Sequence, residues 1–380
     1  MLKGNWNYPT TVWSGPGRLA ELPAALKRLG IAKPLLVTDA GLADAPMVQK
    51  ALALSGAALF AKVRGNPTGT NVADGVAALR SGGHDGVIAF GGGSGIDAAK
   101  AIALMAGQTR PLWDFEDVGD NFKRVDPAAM APVVAIPTTA GTGSEVGRAS
   151  VITNEGEHAK KIIFHPKMMP GIVIADPELS VGLPAHLTAA TGIDAFVHCF
   201  EAYCAPGFHP MADGIALEGM RLVKEFLPRA VADGADIQAR AQMLAAASMG
   251  AVAFQKGLGA VHALAHPIGA VYDTHHGLTN AVLLPYVMRH NRDAIAGPMA
   301  ILARTLGLVR PNFEAVFEWV LQFRSLLKIP ASLAILGIDA GRAAEIGAMA
   351  AADPSAGGNP RAVDAGDLER IFRAAVDGNL

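Results

Sequence analysis

Two pairs of side chains in this 380-residue chain have the types and spacing that hold a metal ion. Asp194 and His198 lie four apart in Thr191-Gly-Ile-Asp-Ala-Phe-Val-His-Cys199, and His262 and His266 lie four apart in Gly259-Ala-Val-His-Ala-Leu-Ala-His-Pro267. On a helix such residues emerge on one face, one turn apart. Unpaired imidazoles among Ala, Val and Leu would be costly in a core, whereas three imidazoles with one carboxylate suit a borderline divalent ion: Fe(II), Zn(II) or Mn(II). A third pair, His275-His276, reads as part of a loop ending at Gly277. Spacing does not decide which four of the five candidates bind; on spacing alone the choice is Asp194, His198, His262 and His266. The bland alternative, structural histidines, has to explain both i,i+4 pairs separately.

A second kind of chemistry belongs to Gly91-Gly-Gly-Ser-Gly-Ile-Asp97, which follows an apolar run and precedes an Ala-rich amphipathic stretch. Backbone N–H groups in such a turn, with the positive end of the following helix, can hold a pyrophosphate. Gly93 to Ala98 also fits G-x-G-x-x-A. The motif falls at about the fourth strand, whereas the usual dinucleotide order places it at the first, and its plain alternative is a turn needing positive φ. Pro137-Thr-Thr-Ala-Gly-Thr-Gly-Ser-Glu145 supplies a second polar turn after the next strand. Two cradles at neighbouring strand ends favour a dinucleotide over a single phosphate. Asp39 closes the run Leu35-Leu-Val-Thr38 where a carboxylate accepts from adenosine ribose hydroxyls and repels a 2′-phosphate, which favours NAD over NADP. Its other reading is a helix N-cap.

The elements that must position these residues fall into two halves. Up to about residue 184, short near-continuous apolar runs (34–38, 58–63, 86–90, 131–136 and 171–175) alternate with amphipathic stretches at 19–29, 72–80 and 96–106. This pattern predicts an α/β domain with a doubly wound, mostly parallel, Rossmann-like sheet over 1–184. After Leu183-Pro184 the β-branched runs give way to Ala, Leu, Met and Glu at helical spacing through 212–227, 237–254, 294–306 and 313–327. An all-α domain over 185–380 is therefore expected.

Composition excludes several partners. With 32 Lys+Arg against 34 Asp+Glu and no basic stripe, nucleic acid is not expected. The most apolar stretch, Met243 to Phe254, is too short for a spanning helix of about 20 residues. The start, Met1 to Asn7, lacks signal and transit patterns. Cys199 and Cys204, five apart in a helical segment, read as buried thiols rather than a disulfide, so a cytoplasmic protein is expected.

Taken together, Gly91-Gly-Gly-Ser94 with Asp97 and Lys100, Pro137 to Glu145, Thr191-Gly-Ile-Asp-Ala195 with His198, and Gly257-Leu-Gly-Ala-Val-His262 to His276-Gly277 resemble the iron-containing, or group III, alcohol dehydrogenases. The resemblance runs from about Asp39 to Arg361. It implies the dehydroquinate synthase-like architecture, with the metal and substrate in a cleft between the two domains. It also implies NAD-linked interconversion of a primary alcohol, including diols and bulkier alcohols, and its aldehyde by a homodimer or larger homo-oligomer. Carried over by motif, the metal ligands become Asp194, His198, His262 and His276. His266 becomes a catalytic residue that assists proton transfer. The implied cofactor contacts are Asp39, Asn66, Gly92, Gly93, Ser94, Asp97, Thr138, Thr139, Thr142, Lys160 and Leu179, with Ala149 and Phe254 at the substrate. Fe(II) is the implied ion, with Zn(II) the other choice. Four positions depart from the family pattern: Gly95 for Pro, Gly147 for Thr, His275 for Pro and Ala149 for a larger residue. A glycerol or polyol dehydrogenase is the alternative enzyme, and a non-catalytic nucleotide- or metal-binding module the alternative of another class.

Overall fold

The computed structural model describes residues 9–157 and 159–380. The reading of Met1 to Asn7 falls outside the described residues. The chain divides into two compact units. One runs through Thr139 and takes in Gly143–Gly182; the other comprises Leu183–Leu380 with Ala140–Thr142.

Among the described residues, the first unit is built on eight strands: β1 (Thr11–Ser14), β2 (Pro34–Asp39), β3 (Ala58–Val63), β4 (Gly86–Gly91), β5 (Val133–Pro137), β6 (Ala149–Asn154), β7 (Ala159–Phe164) and β8 (Ile172–Ala175). Its helices are α1 (Leu22–Arg28), α2 (Pro46–Ser55), α3 (Gly69–Gly82) and α4 (Gly93–Met105). Six strands form one sheet in the order β1-β8-β5-β4-β2-β3, with every pairing parallel. Strands β4, β5 and β8 are buried along their whole length, as continuous apolar runs require in a sheet covered on both faces.

This order explains why the glycine turn comes so late. From β2 the chain steps outward to β3, then returns to the other side of β2 as β4 and continues to β5. The winding therefore reverses between β2 and β4, and the carboxyl ends flanking such a switch point form a ligand crevice. Asp39 ends β2 and Gly91 ends β4. Two elements were not expected from sequence. The edge strand β1 has only alternate residues partly covered, and β6–β7 is an antiparallel hairpin apart from the main sheet.

The second unit contains α5 (Ala185–Cys204), α6 (Pro210–Ala232), α7 (Ile237–Ala253), α8 (Ala260–Tyr272), α9 (His276–His290), α10 (Arg292–Thr305), α11 (Phe313–Leu326), α12 (Ala343–Ala352) and α13 (Ala365–Asp377). Helix α5 is buried almost throughout. An all-round apolar helix of this kind is a central one, and its near neighbours need small contact residues. At Gly250 of α7 an added Cβ would stand 2.9 Å from His198 Cβ; at Gly192 it would stand 2.2 Å from Leu227. Among the described residues, no single helix is long and apolar enough to cross a membrane. The one helix pair that passes on length and composition is bent by 108° at its break.

Candidate functional site

Helix α5 carries Asp194 and His198, α8 carries His262, and His276 is the first residue of α9. One ligand atom from each of these four residues lies within 4.8 Å of every other. That spread is only slightly wider than the about 4.2 Å that bonds of about 2.1 Å to a single ion permit. The rings of His198 and His262 stack at 4.6 Å between centroids. His262 is fully enclosed, and its burial, reinforced by His198, holds its pKa well below the ordinary imidazole value. It is therefore neutral, the form that ligates metal.

His275 and His276 do not form a loop, contrary to the expectation from Gly277. His275 is the N-cap of α9, its Nδ1 accepting from the Leu278 N–H at 3.3 Å, and Gly277 lies inside the helix. Gly277 is needed for closeness: an added Cβ would stand 2.6 Å from the Ala190 carbonyl oxygen and 3.0 Å from Asp194 Cβ. Gly277→Ala should push α9 away from α5. We expect a loss of about 1–3 kcal/mol in stability with weakened metal retention, measured by thermal unfolding and metal analysis; an unchanged melt and metal content would contradict it.

The donors fit a cation. Asn280 points its Nδ2 at Asp194 Oδ1 (2.7 Å), His262 Nε2 (3.1 Å) and His276 Nε2 (3.1 Å). An amide has two hydrogens for these three acceptors, so the cluster holds more inward lone pairs than that donor can satisfy. Nitrogen and oxygen donors without thiolate suit Fe(II) or Zn(II).

His266 is turned differently. Its Nδ1 meets Asp353 Oδ2 at 2.8 Å, while its ring stands 6.0 Å from that of His262 and 5.5 Å from that of His276. Burial raises the Asp353 carboxyl, but the hydrogen bond and charge of His266, with the Ser355 N–H, outweigh it and hold the pKa below the usual value. An ionised Asp353 accepts the Nδ1 proton and leaves Nε2 as a proton acceptor. Phe254 follows α7 with its ring 5.3 Å from His198.

In the other unit, α4 begins at Gly93 with no side chain capping its first N–H groups, the arrangement that binds anions. Gly91 has φ of 139°, open to glycine alone among common residues. Gly92 lies so close to Thr139 that an added Cβ would be 3.2 Å from Oγ1, and Thr138 N–H donates to the Gly91 carbonyl at 2.9 Å. The two sequence-predicted turns are thus adjacent. Asp39 Oδ1 accepts from the Leu42 N–H at 3.1 Å, and its other oxygen faces Gly91. Asp97 is engaged internally: it accepts from Ser144 Oγ and the Val151 N–H and pairs with the buried Lys100 at 3.2 Å. Lys100 in turn donates to the carbonyls of Ser144 and Ala149. Ser94 Oγ donates to the Gly65 carbonyl, and Lys160 Nζ to Asn66 Oδ1 at 3.0 Å. Leu179 belongs to the apolar cluster formed by strands β2, β4, β5 and β8 with helices α1 and α2, and Thr142 lies in the segment grouped with the helical unit.

Sequence reasoning missed Glu201, Asn280 and Asp353. Glu201 continues the Asp194–His198 stripe at i+7, and Asn280 lies one turn after His276, so helical spacing contains a signal for both. Asp353 has no local signal, being 87 residues from His266.

Comparison with known proteins agrees across the chain. The family described as iron-containing alcohol dehydrogenase matches residues 9–177, and its C-terminal counterpart matches residues 188–376. The chain is 38% identical to a 4-hydroxybutyrate dehydrogenase of Cupriavidus necator, over 97% of this chain and 99% of that protein. It is 36% identical to an NAD-dependent methanol dehydrogenase of Bacillus methanolicus, over 98% and 100%. The crystal structure of a 1,3-propanediol oxidoreductase superposes with a TM-score of 0.91 at 35% identity, covering 98% of this chain and 100% of the other.

Proposed function

The chain belongs to the iron-containing alcohol dehydrogenase family, and from that membership we propose that it interconverts a primary alcohol, including a diol, and its aldehyde with NAD(H), using a divalent ion held by Asp194, His198, His262 and His276. The convergence of these four ligand atoms within 4.8 Å carries the reading. The compounds in the names of the relatives, 4-hydroxybutyrate, methanol and 1,3-propanediol, are all primary alcohols, which supports the substrate class. Bound at the four ligands, Fe(II) or Zn(II) supplies a Lewis acid that lowers the alcohol's pKa, and the nicotinamide supplies the hydride chemistry.

His266 takes up the alcohol's proton at Nε2 and passes it towards solvent. Asp353 holds its ring and tautomer from the opposite nitrogen. Phe254 gives the alkyl chain an apolar contact. The free N–H groups at the start of α4 hold the pyrophosphate, with Gly92, Gly93 and Ser94 in the turn itself. Thr138 and Thr139 border that turn. Asp97 and Lys100 act from behind, fixing the second turn against α4. Asn66, Lys160, Thr142 and Leu179 remain proposed cofactor contacts.

A reducing, cytoplasmic setting belongs to the same proposal and is supported by two free, buried cysteines, the Cys199 thiol being pushed up to about 12 by burial. A homodimer or larger assembly is proposed from the resemblance.

Asp39 favours NAD by its charge at the end of β2. Asp39→Ala should improve the kcat/KM ratio of NADP(H) over NAD(H) by about tenfold or more, equivalent to about 1.4 kcal/mol of relieved repulsion; an unaltered ratio would remove Asp39 from cofactor selection. The activity itself is tested by assaying metal-reconstituted protein with primary alcohols, diols and aldehydes. Alcohol-dependent NADH formation is expected, and absence of turnover with every compound would refute the assignment.

A further inference from the structure

Glu201 lies on the ligand-bearing stripe of α5 but outside the ligand cluster. Its side chain is only 4% exposed, and Oε2 meets His262 Nδ1 at 2.6 Å. Oε1 accepts the Val261 N–H at 2.7 Å, from the first turn of α8. The approach is tight enough that a Cβ on Gly259 would stand 2.9 Å from Oε1. The carboxylate therefore touches the same helix twice: once at a backbone donor that would otherwise be orphaned, and once at the far nitrogen of a ligand.

We propose that Glu201 is a positioning residue for the metal, holding the proton of His262 on Nδ1 so that the Nε2 lone pair faces the ion, and tying ligand-bearing α8 to ligand-bearing α5. A carboxylate behind an imidazole fixes its tautomer and ring orientation and raises its basicity as a ligand, and losing such a partner typically lowers metal affinity by about 10–100-fold. Helix capping alone would serve the backbone of α8 without touching the imidazole. Asn359 provides that comparison: its Oδ1 accepts the neighbouring Ala260 N–H at 3.2 Å.

The inference rests on the proposed metal site, and its test separates the two. Metal-free full-length protein is titrated with Co(II), following the ligand-field absorption, alongside Glu201→Gln and Asn359→Ala. Glutamine keeps the shape of Glu201 but offers one acceptor where two donors converge. Glu201→Gln should bind Co(II) about 10–100-fold more weakly with an altered ligand-field band. Asn359→Ala should lower the melting temperature while leaving Co(II) affinity within about twofold of the parent, against that 10–100-fold loss. Parent-like affinity and spectrum in Glu201→Gln would overturn the positioning role alone. Equal weakening in both variants would reduce Glu201 to a helix cap and also overturn it. Failure of the parent to bind Co(II) would overturn the metal site and this inference with it.

Discussion

His198→Ala is expected to abolish metal binding and to lower kcat/KM for alcohol oxidation by about a thousandfold. The figure follows from the several kcal/mol that a Lewis acid contributes to charge stabilisation in such reactions, at 1.36 kcal/mol per factor of ten. His198 is buried with its ring stacked on that of His262, and its ligand atom lies within 4.8 Å of those of Asp194, His262 and His276. Alanine keeps the Cβ that packs against Gly250, so the contact between α5 and α7 is retained and the fold should persist. Metal analysis and steady-state kinetics on one preparation check both halves. A variant that retains one ion per chain, or turns over as the parent does, would contradict the ligand assignment.

His266→Ala should give the opposite combination: full metal content with kcat reduced by about 10²–10⁴-fold, the usual worth of a general acid–base group. His266 lies one turn beyond His262 on α8, and spacing alone would make it a ligand. In the structure its Nδ1 is committed to Asp353 at 2.8 Å, and its remaining nitrogen is free to exchange a proton. The pair His266→Ala and His276→Ala decides between the two ligand sets. If His266 is the proton carrier, only His276→Ala loses the ion; if the spacing-only set is correct, only His266→Ala does.

How far these arrangements could be read from the chain depends on the range of the interaction. Strands β2, β4, β5 and β8 were legible because burial on both faces makes them continuous apolar runs, and the edge strand β3 because Ala58-Leu-Phe-Ala is an apolar run although Ala58, Leu59 and Lys62 are exposed. Strand β1 was not, because Thr11, Val12, Trp13 and Ser14 form a four-residue edge covered on alternate residues. The hairpin β6–β7 was hidden by partly exposed residues such as Lys160 and Lys161. The lateness of the glycine turn was puzzling in one dimension, where no rule reveals that β2 and β4 are neighbours across a reversal of winding.

At the site, the i,i+4 pairs were legible because a single helix makes them neighbours. His276 was obscured by Gly277, a residue that reads as a break until α9 is seen pressed against the Ala190 carbonyl. Asp353 reaches His266 through tertiary packing, and no periodicity encodes such a contact.

If four side chains from α5, α8 and α9 hold the divalent ion, alcohol is not oxidised without it. The direct measurement is to strip the protein with a chelator, titrate Fe(II) or Zn(II) back, and follow alcohol-dependent NADH formation against bound metal. Negligible activity is expected without metal, with recovery that is linear and complete at one ion per chain. Full activity in rigorously metal-free protein would contradict it.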